Sequence, residues 1–245
     1  MPKVVKQLEG GLTNTSYLIE AGSERAVLRI NNPVASQLGV NRQTEITILK
    51  KLDPLGLVPK VYFSDSSILV SEYIEGFALD SAKTSDPSIK KQIENALQSL
   101  QSIDCNDLHV RNYNAYCQEY CSQINALCLN KSIQQKISQI AQVIDTQDWR
   151  PVLCHHDLIP ENIILGNKGL IIIDWEYALL GHPQFDYLRI FKYKQTDNNS
   201  MSDIKIMLRN FQRIMDQLWY AIRYPELQPD LQSKLNDIIE TGQTE

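Results

Sequence analysis

The run Pro151-Val152-Leu153-Cys154-His155-His156-Asp157-Leu158-Ile159-Pro160-Glu161-Asn162 leads into Ile163-Ile164-Leu165, Gly166-Asn167-Lys168-Gly169, Leu170-Ile171-Ile172-Ile173 and Asp174. Two short apolar segments flank a turn, the pattern of a β-hairpin closing at Gly166 and Gly169. Counting outward from the turn places Asn162 and Asp174 nearly opposite one another at the open end, so two oxygen donors converge there. A second carboxylate, Asp157, stands five residues before Asn162. Such a set suits a hard cation such as Mg²⁺, which takes a few protein oxygens and shares the rest with phosphate and water. Asp157 is left to accept a proton.

Upstream, the character of the chain changes near residue 75. Residues 4–8, 17–20, 26–30, 61–63 and 68–74 read as strands, with one helix over 41–52. Beyond Ser85, Ile89, Ile93, Ala96, Leu97 and Leu100 recur at helical spacing, and further helical patterns cover 115–129, 131–144, 201–222 and 229–240. The fold class predicted is α+β: a small β-rich N-terminal lobe over residues 1–75 and a larger, mainly helical C-terminal lobe over 76–245. Glu72-Tyr73-Ile74-Glu75-Gly76, where a strand pattern runs into a glycine, is the natural hinge between them.

Composition narrows the partners. A net charge of −5 with no run of Lys or Arg argues against a nucleic-acid surface and favours a neutral or cationic small molecule. No window approaches the roughly 18 apolar residues of a membrane span, and residues 1–7 lack the apolar run of a signal peptide, so a cytoplasmic protein is expected. Five cysteines without a Cys-x-x-Cys pair indicate free thiols, not a disulfide framework or a zinc ribbon.

Two features of the N-terminal region add to the hairpin. Glu9-Gly10-Gly11-Leu12-Thr13-Asn14-Thr15-Ser16 joins two strand patterns, and such a loop can offer backbone N–H groups and hydroxyls to phosphates, although a ligand-free hairpin turn looks similar. In the strand Ala26-Val27-Leu28-Arg29-Ile30, Arg29 interrupts an apolar run and needs a compensating charge. Glu45 answers it: at helical spacing it shares the inward face of Ile48, Leu49 and Leu52. A purely structural ion pair has the same pattern.

The order His155-x-Asp157-x-x-x-x-Asn162, then Asp174-Trp175-Glu176, follows the protein-kinase arrangement of a catalytic-loop Asp, an Asn five residues on and a later metal-binding Asp. The whole resembles the choline kinase, thiamine kinase and aminoglycoside phosphotransferase families, through "HHDLIPENIIL", "IDWEYA" and the "GGLTN" loop, over most of residues 8–190. That resemblance implies a two-lobed, protein-kinase-like fold and ATP-dependent transfer of the γ-phosphoryl group to the hydroxyl of a small alcohol. It implies Asp157, Asn162 and Asp174 as the catalytic set, with Mg²⁺ on Asn162 and Asp174 and Asp157 meeting the acceptor. It also implies Gly11, Thr13, Asn14 and Thr15 at the nucleotide phosphates, Arg29 paired with Glu45 in place of the kinase lysine, and main-chain contacts from Glu72 and Ile74 to adenine. His155 is expected to pack beneath the metal-binding Asp; Asp186 is expected either to brace the catalytic loop or to cap a helix.

For the acceptor, Glu176 and Trp219, with Tyr220, Tyr224, Tyr113, Tyr116 and Tyr120 as further aromatic candidates, suggest a cation of the thiamine or choline type. The segment Leu38-Gly39-Val40-Asn41-Arg42-Gln43-Thr44-Glu45 leans toward the thiamine branch. Two alternatives stand beside this reading: an aminoglycoside or sugar phosphotransferase, and a nucleotide-binding pseudokinase module.

Overall fold

The computed structural model describes residues 1–9, 13–191 and 202–241. The chain divides into two compact units, Met1–Leu108 with Val152–Leu179 and His109–Pro151 with Leu180–Glu245.

The first unit opens with β1 (Lys3–Leu8), β2 (Thr15–Ala21) and β3 (Glu24–Ile30), followed by α1 (Arg42–Leu52), β4 (Val61–Ser64) and β5 (Ile68–Glu72). The strands form one antiparallel sheet in the order β1-β2-β3-β5-β4. The Asn41 side chain starts α1 by accepting from the Thr44 N–H at 3.1 Å, satisfying one of the donors a helix leaves open at its start. Its buried face carries Ile48, Leu49 and Leu52 together with Glu45, as the spacing predicts.

The strand read as 68–74 ends earlier, at Glu72. Residues 73–75 pass to β6 (Gly76–Ala78), which joins a second sheet. After α2 (Pro87–Gln101) and β7 (Val152–Cys154), the hairpin of β8 (Ile163–Gly166) and β9 (Gly169–Ile172) completes that sheet in the order β6-β8-β9. The boundary expected at residue 75 therefore runs through the first unit, because backbone pairing of β6 with β8 carries the chain past the hinge segment without a break.

The pairing of β6 with β8 is unusually close at Gly76 opposite Gly166. A Cβ on Gly76 would lie 2.5 Å from the Leu165 carbonyl oxygen, and one on Gly166 would lie 2.6 Å from that of Glu75. Gly76→Ala should therefore force the strands apart and cost about 1–3 kcal/mol. A lower urea midpoint at unchanged slope is the expected result; an unchanged midpoint would contradict it.

The second unit is helical: α3 (Tyr113–Ser122), α4 (Lys131–Thr146), α5 (Phe185–Ile190), α6 (Asp203–Arg223) and α7 (Leu231–Thr241). α6 packs against the other four and buries Leu208, Phe211, Ile214, Leu218 and Ala221. The helix read as 115–129 stops at Ser122. Asn125 turns the chain, its side chain accepting from the Leu127 N–H at 2.9 Å and its carbonyl from the Cys128 N–H at 2.8 Å, before Asn130 caps α4. All five cysteines are free thiols. Among the described residues, no helix is long and apolar enough to cross a membrane.

Candidate active site

The catalytic-loop sequence follows β7 and is held from below by His155, which is fully buried. The Asp157 N–H donates to its Nδ1 at 3.3 Å, so the ring proton sits on Nε2, 2.9 Å from the Ile173 carbonyl. The ring packs on Trp175 at 4.7 Å between centroids, and the Trp175 indole N–H donates to the Ile172 carbonyl at 2.9 Å. Both imidazole nitrogens thus serve the main chain, as expected of a brace and not of a base or a metal ligand.

The hairpin register runs from Gly166 opposite Gly169 to Ile163 opposite Ile172. One further bond, Ile173 N–H to the Asn162 carbonyl at 2.9 Å, brings Asn162 and Asp174 to the same open end. The Asn162 amide N–H donates to the Asp157 carbonyl at 2.9 Å, which fixes the side chain and leaves its carbonyl oxygen as the atom that can coordinate a metal. Among the described residues, the non-glycine positions with left-handed backbone are His156, at φ 65°, and Asp174, at φ 66°. His and Asp tolerate that region better than most residues, yet it still stores strain, and both positions border the same site.

Arg29 and Glu45 form the expected pair. Nη1 donates to Oε1 and Nη2 to Oε2, each at 2.7 Å, while Nε donates to Asn31 Oδ1 at 3.0 Å. Burial alone would push the Glu45 carboxyl up, but the hydrogen bonds and charge of Arg29, joined by Arg42, hold it below its ordinary value. Beyond this pair, Arg29 Nη1 lies 3.8 Å from Asp174 Oδ1.

The pair is part of a larger network. Arg42, in the first turn of α1, donates from Nη1 to Glu45 Oε2 at 3.1 Å and to Glu176 Oε2 at 2.8 Å, and from Nη2 to Asn14 Oδ1 at 2.7 Å. Asn14 closes the ring by donating to Glu176 Oε2 at 2.7 Å. Two expectations change as a result. Glu176, with 1% of its side chain exposed, has an arginine of the chain itself as its cation and does not present its charge to an acceptor. Asn14, expected at a phosphate, commits its side-chain oxygen and nitrogen to this network. Arg42 escaped the sequence reading, although a signal existed: the N-terminal turn of a helix disfavours a cation, so an arginine there needs another reason.

Two arginines, Arg29 and Arg42, thus meet four carboxylates: Asp174 and the three whose charge acts on it, Glu45, Asp157 and Glu176. With all four ionised, the excess is two negative charges. Asp174 registers it most: partial loss of solvent at a side chain still 40% exposed, then the charges of Glu176, Glu45 and Asp157, push its carboxyl up to about 8 against the opposing pull of Arg29. Among the described residues no cluster of three His, Cys, Asp or Glu is arranged for a metal. A site of one Asp and one Asn with a local charge deficit of this size fits Mg²⁺, which needs few protein ligands.

Because the folded value of Asp174 lies above its ordinary 3.8, ionising it opposes folding. Its contribution is favourable in acid and is lost as pH rises through about 8. Without divalent cations, Asp174→Asn should be no more stable than the parent at pH 4 and more stable at pH 8. Urea melts at the two pH values check this; a gain that did not grow with pH would contradict it.

The remaining expected residues fall in several places. Gly11 lies outside the described residues. Thr13 precedes Asn14, and Thr15 is the first residue of β2, paired with Ile30. The Glu72 N–H is committed to the Lys60 carbonyl at 2.8 Å and its carboxylate to Lys168. Ile74 lies in the 73–75 segment, where no main-chain partner for its N–H occurs among the described residues. Trp219 sits on α6 in the second unit, edge-on to Tyr220, which is 42% exposed. Tyr113 and Tyr120 are core residues, and the Tyr116 ring already carries the Arg111 guanidinium at 4.4 Å. Helical periodicity could not separate these rings from substrate-facing ones. Asp186 is buried in the first turn of α5, whose N-cap position is Gln184.

The fold is that of a small-molecule kinase. A choline kinase, LicA from Streptococcus pneumoniae, superposes with a TM-score of 0.73 at 24% identity, covering 97% of this chain and 92% of that one. A LicA structure in complex with AMP gives 0.76 at 23% identity over 99% and 93%. The α+β, two-lobed kinase-like fold expected from the motifs is the one observed. The chain belongs to the choline/ethanolamine kinase family, whose model matches residues 5–240. Protein LicA of Haemophilus influenzae is 29% identical over 197 residues, which are 75% of this chain and 56% of that protein, so the chain spans little more than half of that relative. The family match gives the lean toward thiamine no support.

Proposed function

We propose that this protein transfers the γ-phosphoryl group of ATP to the hydroxyl of choline or ethanolamine. The observation that carries the reading is the joining of Asp157, Asn162 and Asp174 at the open end of one hairpin, with Arg29 beside Asp174. In this reading Arg29, aligned by both oxygens of Glu45, directs its remaining charge at the nucleotide phosphates. Asn162 and Asp174 hold Mg²⁺, which supplies neutralisation of charge on the phosphates. Asp157 orients the acceptor hydroxyl and takes its proton. Transfer of this kind rests on positioning and electrostatic stabilisation.

Ile74 supplies a main-chain donor for adenine, and Thr13 and Thr15 serve the phosphates. AMP in the complex of a related LicA supports the nucleotide part of the reading. A cationic acceptor suits the negative balance of the site. The cytoplasm, where ATP and Mg²⁺ are abundant, is the compartment this chemistry requires. The pseudokinase alternative is disfavoured by the intact charge network, and the aminoglycoside alternative by the family.

Initial rates of ADP release with Mg·ATP and choline, ethanolamine, thiamine or an aminoglycoside test the acceptor. Choline or ethanolamine should give the highest kcat/KM. A preference for thiamine or an aminoglycoside would overturn the acceptor assignment and leave the phosphotransfer intact.

A further inference from the structure

The Arg42 side chain bonds to three separate parts of the candidate site. It reaches Glu45 on its own helix, Asn14 at the end of the β1–β2 loop, and Glu176 two residues beyond Asp174. Its side chain is 16% exposed, and its two carboxylate partners are each 1% exposed. A guanidinium suits this post because its planar fork satisfies several acceptors in fixed directions; a lysine would offer a point charge to one or two of them.

The placement has consequences for Asp174. That residue sits in a left-handed conformation, followed at once by the short turn Trp175–Tyr177. Trp175 anchors one side of the turn through Ile172, and Glu176 anchors the other through Arg42 and Asn14. The backbone of the proposed metal ligand is thus pinned two residues downstream to α1 and to the loop proposed for the phosphates. Glu45, held by the same Arg42, aligns Arg29. One arginine therefore sets the relative placement of the metal ligand, the phosphate cation and the loop.

We infer that Arg42 is a positioning residue that couples Asn14 and the Arg29–Glu45 pair to the placement of Asp174, so that Mg²⁺ and nucleotide bind as a unit. The inference rests on the phosphotransferase reading. Outer partners of a metal ligand typically alter metal affinity by about 10- to 100-fold when removed. Loss of Arg42 should appear in the Mg²⁺-dependent part of nucleotide binding and much less in binding of metal-free ATP.

The test is calorimetric: the dissociation constant of ATP with and without Mg²⁺, for the parent, Arg42→Lys, Arg42→Gln and the double variant Arg42→Gln/Glu176→Gln. The double variant removes both charges together, so it leaves no buried carboxylate without its cation and keeps the test open if Arg42→Gln alone unfolds. The expected result is a Mg²⁺-dependent tightening reduced about tenfold or more in the double variant, with an intermediate value for Arg42→Lys. A merely structural arginine would lower thermal stability without changing the ratio of the two constants. A folded double variant with the parent's ratio would overturn the inference. If the parent itself binds ATP no more tightly with Mg²⁺, the phosphotransferase reading falls, and the inference with it.

Discussion

Asp157→Asn lowers acceptor-dependent ADP release by about 10²- to 10⁴-fold, the range a positioned base contributes, while ATP binding survives. The substitution keeps size and shape but removes the basic oxygen. The contacts that hold the loop are made by the main chain of residue 157: its N–H donates to His155 Nδ1 at 3.3 Å and its carbonyl accepts from the Asn162 amide at 2.9 Å. Both remain in the variant, so Asn162 stays oriented. Steady-state rates combined with calorimetric ATP binding separate the two effects. Full turnover would remove Asp157 from the chemistry; loss of ATP binding in parallel with turnover would mean that the residue serves the loop and not the proton.

Glu45→Ala should destabilise the first unit by about 3–5 kcal/mol, the cost of breaking a buried pair by removing one partner. The carboxylate accepts from Arg29 at both oxygens and from Arg42 at one, so its loss leaves two arginines near each other without their shared counter-charge. A companion variant, Arg29→Met/Glu45→Leu, separates stability from function. Replacing the pair by apolar groups of similar size is often neutral or stabilising, so the urea midpoint should recover much of the loss while turnover stays low for want of the phosphate cation. Glu45→Ala with parental stability would show that the network is not held by this carboxylate. A double variant with full turnover would show that Arg29 is structural only.

What the sequence disclosed followed from local rules. The β8–β9 hairpin was legible because its turn and its two apolar arms are contiguous, and its register then placed Asn162 near Asp174 by counting alone. Arg29 and Glu45 were legible because each carries a charge on a face that periodicity marks as buried. The role of Glu176 was not: its partners, Asn14 and Arg42, are 162 and 134 residues away along the chain, and no local pattern reports a contact at that range. The same holds for Gly76 and Gly166, whose close approach depends on the pairing of β6 with a strand far along the chain. The boundary expected at residue 75 falls inside the first compact unit for this reason, since a change in composition marks where secondary structure changes and the β6–β8 pairing crosses that point. Tyr113 and Tyr120 show the limit from another side: a helix gives each aromatic a face, but only its neighbours decide whether that face meets solvent or the core.

The most direct test of the account is ³¹P NMR of the purified protein with Mg·ATP and either choline or ethanolamine. The account predicts a new phosphomonoester resonance that grows in step with ADP, requires the acceptor, and is absent with Asp157→Asn. ADP appearing at the same rate without acceptor, or no phosphomonoester with either alcohol, would contradict it.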